Sequence, residues 1–373
     1  MTFRTPLRSL SSFTCVFVAL AACSGQPASR GEAIGAPASL KEAYADYFPV
    51  GAAVSPRRLR SADTALLIRH VNSVVAESAM KYDHLVDEAG DFTFGDGDEI
   101  VAFARRHGMA VRGHTLTWYN QTRDAFYQDS LGNDLDAERL LRRLRTYIHA
   151  VLDHYRGQIY CWDVVNEALS DEPDRFYRDD IKWFEIAGPD YIAAAFRYAH
   201  EADSTVKLFY NDYDLIAPAK REKAYRMLEG LLEDGVPVHG VGLQGHYVTA
   251  DSVAKYLPLA IDRFASLGLE VQITELDVSV YPYYHNIDRA TIPNETRPYT
   301  PAVADSLAAT YRDVFRVLRD KRDVVTGVTL WGIADDKTWL SNYVVKGRYD
   351  YPLLFDRDHQ PKKAYHEVVD FAE

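Results

Sequence analysis

The chain has 373 residues, of which 47% are hydrophobic and 26% charged, a globular balance that excludes a disordered or collagen-like polypeptide. At roughly 100–200 residues per domain the length predicts two domains, although α/β barrels use 250 or more as one. Lys and Arg number 42 against 54 Asp and Glu, a formal net charge of -12, and so acidic a chain argues against a nucleic-acid partner, whose binding draws on clustered Lys and Arg.

Residues 1–22 read as an export signal, with positive charge from Arg4 and Arg8 and an apolar run from Phe13 to Ala22. That run is too short to cross a bilayer, which takes about 20 residues. Leu20-Ala21-Ala22-Cys23 resembles a bacterial lipobox with Cys23 as the lipidated residue; an ordinary cleavable signal with an incidental Cys is the alternative. Cleavage would remove Cys15, and acylation of Cys23 would leave only Cys161, so no internal disulfide is expected. Residues 23–40, rich in Ser, Gly, Pro and Ala, read as a flexible tether. Residues 41–373 read as one folded domain, a monomer held at the membrane only by its lipid.

Within that domain a short β-prone run, a polar loop and a helical pattern recur. The runs are Phe48–Ala53, Val71–Ala76, Ala110–His114, Ile159–Val165, Lys207–Asn211, Val238–Gln244, Glu270–Thr274 and Val325–Trp331. Between them Asp136–Tyr155, Asp190–Glu201, Ala217–Asp234, Ser252–Leu267 and Pro301–Asp320 carry apolar residues at helical spacing. Strands alternating with helices imply a parallel sheet, either a (β/α)8 TIM barrel or an open doubly wound sheet. Polar residues decide between them. Glu77 and Lys81, His114 and Trp118, Asn166 and Glu167, Asn211 and Asp212, Gln244 and His246, Glu275 and Asp277, and Trp331 follow seven successive runs. A barrel gathers all those strand ends around one mouth, where barrel enzymes keep their sites, whereas an open sheet would spread them along a crevice. The single-domain barrel is the expectation.

Glu167 and Glu275 stand out because each follows an apolar strand, where a lone carboxylate is costly unless paired or used. One such Glu is more often a rim ion pair than a catalyst. Two of them, on strands four and seven of the ring and in this polar company, match the pair that glycoside hydrolysis needs: one protonates the leaving oxygen and the other attacks the anomeric carbon or activates water.

Five segments then carry a family resemblance. Val111-Arg-Gly-His-Thr-Leu-Thr-Trp118, Trp162-Asp-Val-Val-Asn-Glu167, Gly242-Leu-Gln-Gly-His246, Ile273-Thr-Glu-Leu-Asp277 and Leu330-Trp-Gly-Ile-Ala-Asp-Asp336 resemble, in order and spacing, the motif series of family 10 glycoside hydrolases, the endo-β-1,4-xylanases. The resemblance covers about residues 45–370 and implies a retaining double displacement on xylan or xylo-oligosaccharide, without cofactor or metal. It implies Glu167 as acid/base and Glu275 as nucleophile, with His246 bonded to the nucleophile and steadied by Asp277. It further implies Asn166 on the sugar 2-hydroxyl, Lys81, His114 and Gln244 around the same ring, and Trp118, Trp331 and Trp339 as stacking walls. Glu77 and Gln121 would reach the next sugar.

Two segments depart from the pattern. Ser78 replaces an Asn beside Glu77, and Trp118-Tyr-Asn-Gln121 replaces Trp-His-x-Gln. The Tyr-rich loop Val278–Tyr299 is long for a strand-to-helix connection and reads as a groove wall or an inert insertion. Three other readings stay open: a glycan-binding lipoprotein without chemistry, a metal hydrolase using His114, His246 and Asp212, and a β-1,4-glucanase.

Overall fold

The computed structural model describes residues 39–282 and 291–371. The segment expected to be an export signal, Cys23 and part of the Tyr-rich loop therefore lie outside the described residues. Nine strands occur among them: β1 (Val50–Val54), β2 (Ser73–Ala76), β3 (Ala110–Thr117), β4 (Cys161–Asn166), β5 (Lys207–Asp212), β6 (Gly240–Leu243), β7 (His246–Val248), β8 (Glu270–Ser279) and β9 (Val325–Leu330). All neighbouring pairs are parallel, β6 pairs β8, and β9 returns to β1, so eight strands close a barrel as expected. The short β7 stands outside that ring and pairs only the outer half of β8.

Helices Asp63–His70, Gly95–Arg106, Ala137–Tyr155, Asp190–Ala202, Pro218–Glu233, Val253–Ala265 and Pro301–Asp320 connect the strands, and Lys363–Val369 follows the last of them. Ala137–Tyr155 shows why they form where they do. The Asp136 side chain accepts the Arg139 N–H at 2.8 Å and caps the first turn. Leu140, Leu144, Tyr147, Ile148, Val151, Leu152 and Tyr155 then recur three and four residues apart and are all buried, giving one apolar stripe against the barrel.

Two boundaries differ from expectation. The folded domain begins before residue 41, because Ser39 caps a four-residue helix in a reciprocal capping box with Glu42 and the following Leu40 is fully buried. The seventh run does not stop at Thr274 but continues as β8 to Ser279, so Glu275 and Asp277 lie inside a strand rather than beyond one. The acids disguise that continuation. β6 ends at the Leu243–Ile273 pair, and β7 resumes the ladder at the His246–Asp277 pair. At the change of partner the register with β9 slips between Ile273 and Leu276.

The barrel interior is partly polar. Arg112, 1% exposed, ion-pairs Asp163, donates to Gln272 Oε1 at 2.8 Å and lies 4.8 Å over the Phe209 ring. Large rings fill the remaining space and require glycine opposite them: a Cβ at Gly240 would stand 2.2 Å from Phe209, and one at Gly113 2.2 Å from Trp162. Gly240→Ala should therefore overpack the barrel and lower stability by about 1–3 kcal/mol, measured as a lower midpoint in urea.

Candidate active site

The strand ends open into one cleft of about 380 Å³ lined by Glu77, Lys81, His114, Trp118, Gln121, Asn166, Glu167, Gln244, His246, Glu275, Asp277, Trp331 and Trp339. Every residue that the family resemblance assigns to the site thus meets at the C-terminal face of the barrel, Ser78, Tyr119 and Tyr213 join the lining, and Asn211 and Asp212 are not part of it.

Glu167 follows the last residue of β4. Its Oε2 accepts the Trp118 indole N–H at 2.9 Å, and its Oε1 accepts the amides of Gln244 at 2.9 Å and Asn166 at 3.1 Å. Its backbone is left-handed, with φ of 57°. Such a conformation in a non-glycine residue costs on the order of 1–3 kcal/mol and persists only where its surroundings enforce it. Glu275, 5% exposed, accepts from Asn211 Nδ2 at 2.8 Å, while His246 Nε2 lies 3.3 Å from its second oxygen. Asn211 also donates to Asn166 Oδ1 at 2.9 Å. The two carboxyls are therefore joined along the wall by the amides of Asn166 and Asn211 rather than only facing each other across an open mouth.

His246 sits between two acids: Nδ1 lies 2.8 Å from Asp277 and Nε2 faces Glu275. Burial opposes a charged imidazole, but Asp277 and then Glu275 overcome it and raise the ring to a pKa of about 10. Burial likewise opposes ionisation of Glu275. The hydrogen bond from His246, with the electrostatic pull of His114, His246 and Lys81, more than offsets burial and holds the carboxyl below its ordinary range.

His114 is turned by Asp163, 2.9 Å from its Nδ1, and Asp163 is in turn held by Arg112. Lys81 is 5% exposed, with Nζ 4.5 Å from the Trp118 ring centre and 5.9 Å from that of Trp331; burial lowers its pKa, opposed by Glu275, Glu167 and Glu77. Trp339 is tied down by its indole N–H to Asp277 Oδ2 at 2.7 Å, so it both lines the cleft and fixes the acid behind His246. Glu77 is backed by the buried Arg58, 3.5 Å away, and Gln121 lines the cleft beside Trp118.

Some functional partners were not assigned from sequence. Asn211 was visible as a polar strand end, yet its bridge between Asn166 and Glu275 exists only in three dimensions. Asp163 interrupts an apolar strand, a costly position that signals a buried partner. Arg58 lies in the four-residue helix Pro56–Leu59 and gave no signal.

Metal chemistry through His114, His246 and Asp212 does not fit the site. His114 is engaged by Asp163, His246 by Glu275 and Asp277, and Asp212 by Lys220 and Tyr210. Among the described residues one trio of ligand-type side chains gathers, Asp63, Asp336 and His359. Lys337 Nζ already stands 3.1 Å from Asp63 and 3.4 Å from Asp336, with Arg58 3.4 Å from Asp63.

Two carboxyls in unlike surroundings, at the C-terminal mouth of a parallel eight-stranded barrel, define a barrel-fold glycosidase. The chain belongs to glycosyl hydrolase family 10, whose family model matches residues 39–371. It is 46% identical to a β-1,4-xylanase of Dictyoglomus thermophilum over 89% of this chain and 91% of that one. It is 44% identical to an endo-1,4-β-xylanase of Geobacillus stearothermophilus, covering 89% and 98%. The crystal structure of xylanase XynB from Paenibacillus barcinonensis complexed with a conduramine derivative superposes with a TM-score of 0.84 at 41% identity, covering 90% of this chain and 99% of that chain.

The His246 cation gives a signed prediction. His246→Gln keeps Glu275 buried but removes the charge that holds it ionised, so its pKa rises. The acidic limb of the kcat/KM profile for hydrolysis should move to higher pH by about one unit or more, the size expected when a cation at hydrogen-bond distance is lost. An unmoved limb would contradict the assignment.

Proposed function

We propose that this protein is an endo-acting, retaining β-1,4-xylanase that cleaves internal xylosidic bonds of xylan by double displacement. The observation that carries the reading is the inequality of its two carboxyls: a cation holds Glu275 ionised, whereas Glu167 is met by neutral donors, the indole of Trp118 and the amides of Gln244 and Asn166. The relatives named as xylanases, aligned over nearly the whole of both chains, supply the substrate class.

In the first step a Glu275 oxygen attacks the anomeric carbon as the bond to the leaving oxygen breaks, and Glu167 gives that oxygen its proton. The products are a glycosyl ester on Glu275 and a departing chain whose leaving oxygen is now a 4-hydroxyl, a new non-reducing end; the new reducing end appears only when water opens the ester. Esterification removes the negative charge of Glu275, and Glu167, now a carboxylate, takes a proton from water as the water oxygen attacks the same carbon. Two inversions restore the β configuration. Asn166, Lys81, His114 and Gln244 would hold the reacting ring, with Asn166 on its 2-hydroxyl, a contact that strengthens as the ring approaches an oxocarbenium ion. Trp118, Trp331 and Trp339 would supply apolar walls, Glu77 and Gln121 would engage the next sugar, and Ser78 would leave room there for a side branch.

Following xylo-oligosaccharide cleavage by proton NMR should show the β-anomer first, turning to the α/β mixture only by mutarotation. Glu275→Gln should abolish turnover. Glu167→Gln should lose roughly 10²–10⁴-fold on xylan, the range that general acid–base catalysis supplies. First appearance of the α-anomer, or full activity in either variant, would overturn the reading.

A further inference from the structure

We propose that Lys220, a residue outside the cleft lining, is a positioning residue for Glu167, acting through a closed ring of hydrogen bonds around the peptide that follows it. The inference rests on the assignment of Glu167 as the general acid. Lys220 lies in the first turn of the helix Pro218–Glu233 and is 5% exposed. Its Nζ stands 2.9 Å from both Asp171 Oδ1 and Asp212 Oδ1, so one ammonium joins a carboxylate on the loop after β4 to one at the end of β5.

Each carboxylate then leads back to the same peptide unit. Through Asp212, the Tyr210 hydroxyl donates to Oδ2 at 2.5 Å and itself accepts the Ala168 N–H at 3.1 Å. Through Asp171, Oδ2 accepts from Arg178 at 3.0 Å, and Arg178 Nε donates to the Glu167 carbonyl at 3.2 Å. The Glu167–Ala168 peptide is thus gripped at its C=O and its N–H by the two arms of one ring, and Lys220 closes it. This is the peptide that follows the left-handed φ of Glu167, a conformation that needs enforcement.

The chemistry of the ring agrees with its geometry. Burial raises Asp212 to about 6 even with Lys220 beside it, while burial of Asp171 is overcome by Lys220, Tyr213 and Arg178, bringing it to about 2. Without the ammonium both carboxylates lose a cation, and one arm or the other must let go of the peptide. Glu167 would then be free to relax and its proton would no longer be aimed at the leaving oxygen.

A defect in proton donation is distinguished from a general loss by its dependence on the leaving group. The full chain and its variants would be assayed on phenyl and 2,4-dinitrophenyl β-xylobiosides, the first needing a general acid and the second not. Lys220→Met should lose roughly 10–100-fold in kcat/KM on the phenyl substrate, part of the 10²–10⁴ a general acid supplies, and less than about threefold on the dinitrophenyl one. Lys220→Arg, which keeps the cation, should recover most of the phenyl activity. Tyr210→Phe deletes only one arm and carries the same selective loss, roughly three- to tenfold, should Lys220→Met not fold. Equal losses on both substrates in these variants would overturn the proposal. Glu167→Ala is the reference: if it shows no leaving-group dependence, the assignment of Glu167 fails, whereas dependence in Glu167→Ala alone sinks only the role of Lys220.

Discussion

The site depends on a protonated imidazole fixed between two carboxylates. Glycoside cleavage with two carboxyls requires one charged and one protonated group close to the same bond, and burial opposes the charge on Glu275. His246 breaks the symmetry. The ladder itself puts it there: β7 pairs with β8 so that His246 lies opposite Asp277. Along β8 successive side chains alternate faces, so Glu275 and Asp277, two residues apart, present to the same imidazole. Trp339 anchors Asp277 from the far side. One short strand outside the barrel ring therefore sets the charge of a carboxyl inside the cleft.

Behind the cleft, polar contacts continue into the barrel. Arg112 holds Asp163, Asp163 orients His114, and Arg112 also donates to Gln272 across the interior. Removing one partner of such a buried pair typically costs about 3–5 kcal/mol, because the other charge is left without compensation. Asn211, fully buried, performs a similar service: its Nδ2 donates to both Asn166 and Glu275, and its Oδ1 accepts the Thr274 hydroxyl at 2.6 Å. The side chains that touch a sugar are in this way fixed by others that do not.

Much of this was legible in the sequence, for a physical reason. Barrel strands are covered on both faces and read as apolar runs, so all eight were found, and the polar residues that end them were recognised as one cleft. What escaped was of another kind. Glu275 and Asp277 interrupt the apolar pattern of β8, so the sequence shows a strand end at Thr274 where the strand continues to Ser279, and the exchange of β6 for β7 as partner leaves no local mark. Trp118 was expected as a stacking wall, and its indole N–H bond to Glu167 depends on a side-chain orientation that residue type does not encode. Lys220 sits in a helix otherwise rich in solvated charge, where only the fold reveals that it is buried between two acids. Residue types and spacing announce chemistry; which neighbour holds each group in place is a property of the closed barrel.

The most direct measurement is to trap the glycosyl ester. A 2-deoxy-2-fluoro xylobioside with a dinitrophenyl leaving group slows the second step more than the first, so a covalent adduct should accumulate and inactivate the enzyme. Digestion and mass spectrometry should place the added mass on Glu275. An adduct on another side chain, or turnover without any adduct, would contradict the account of an ionised Glu275 attacking the anomeric carbon.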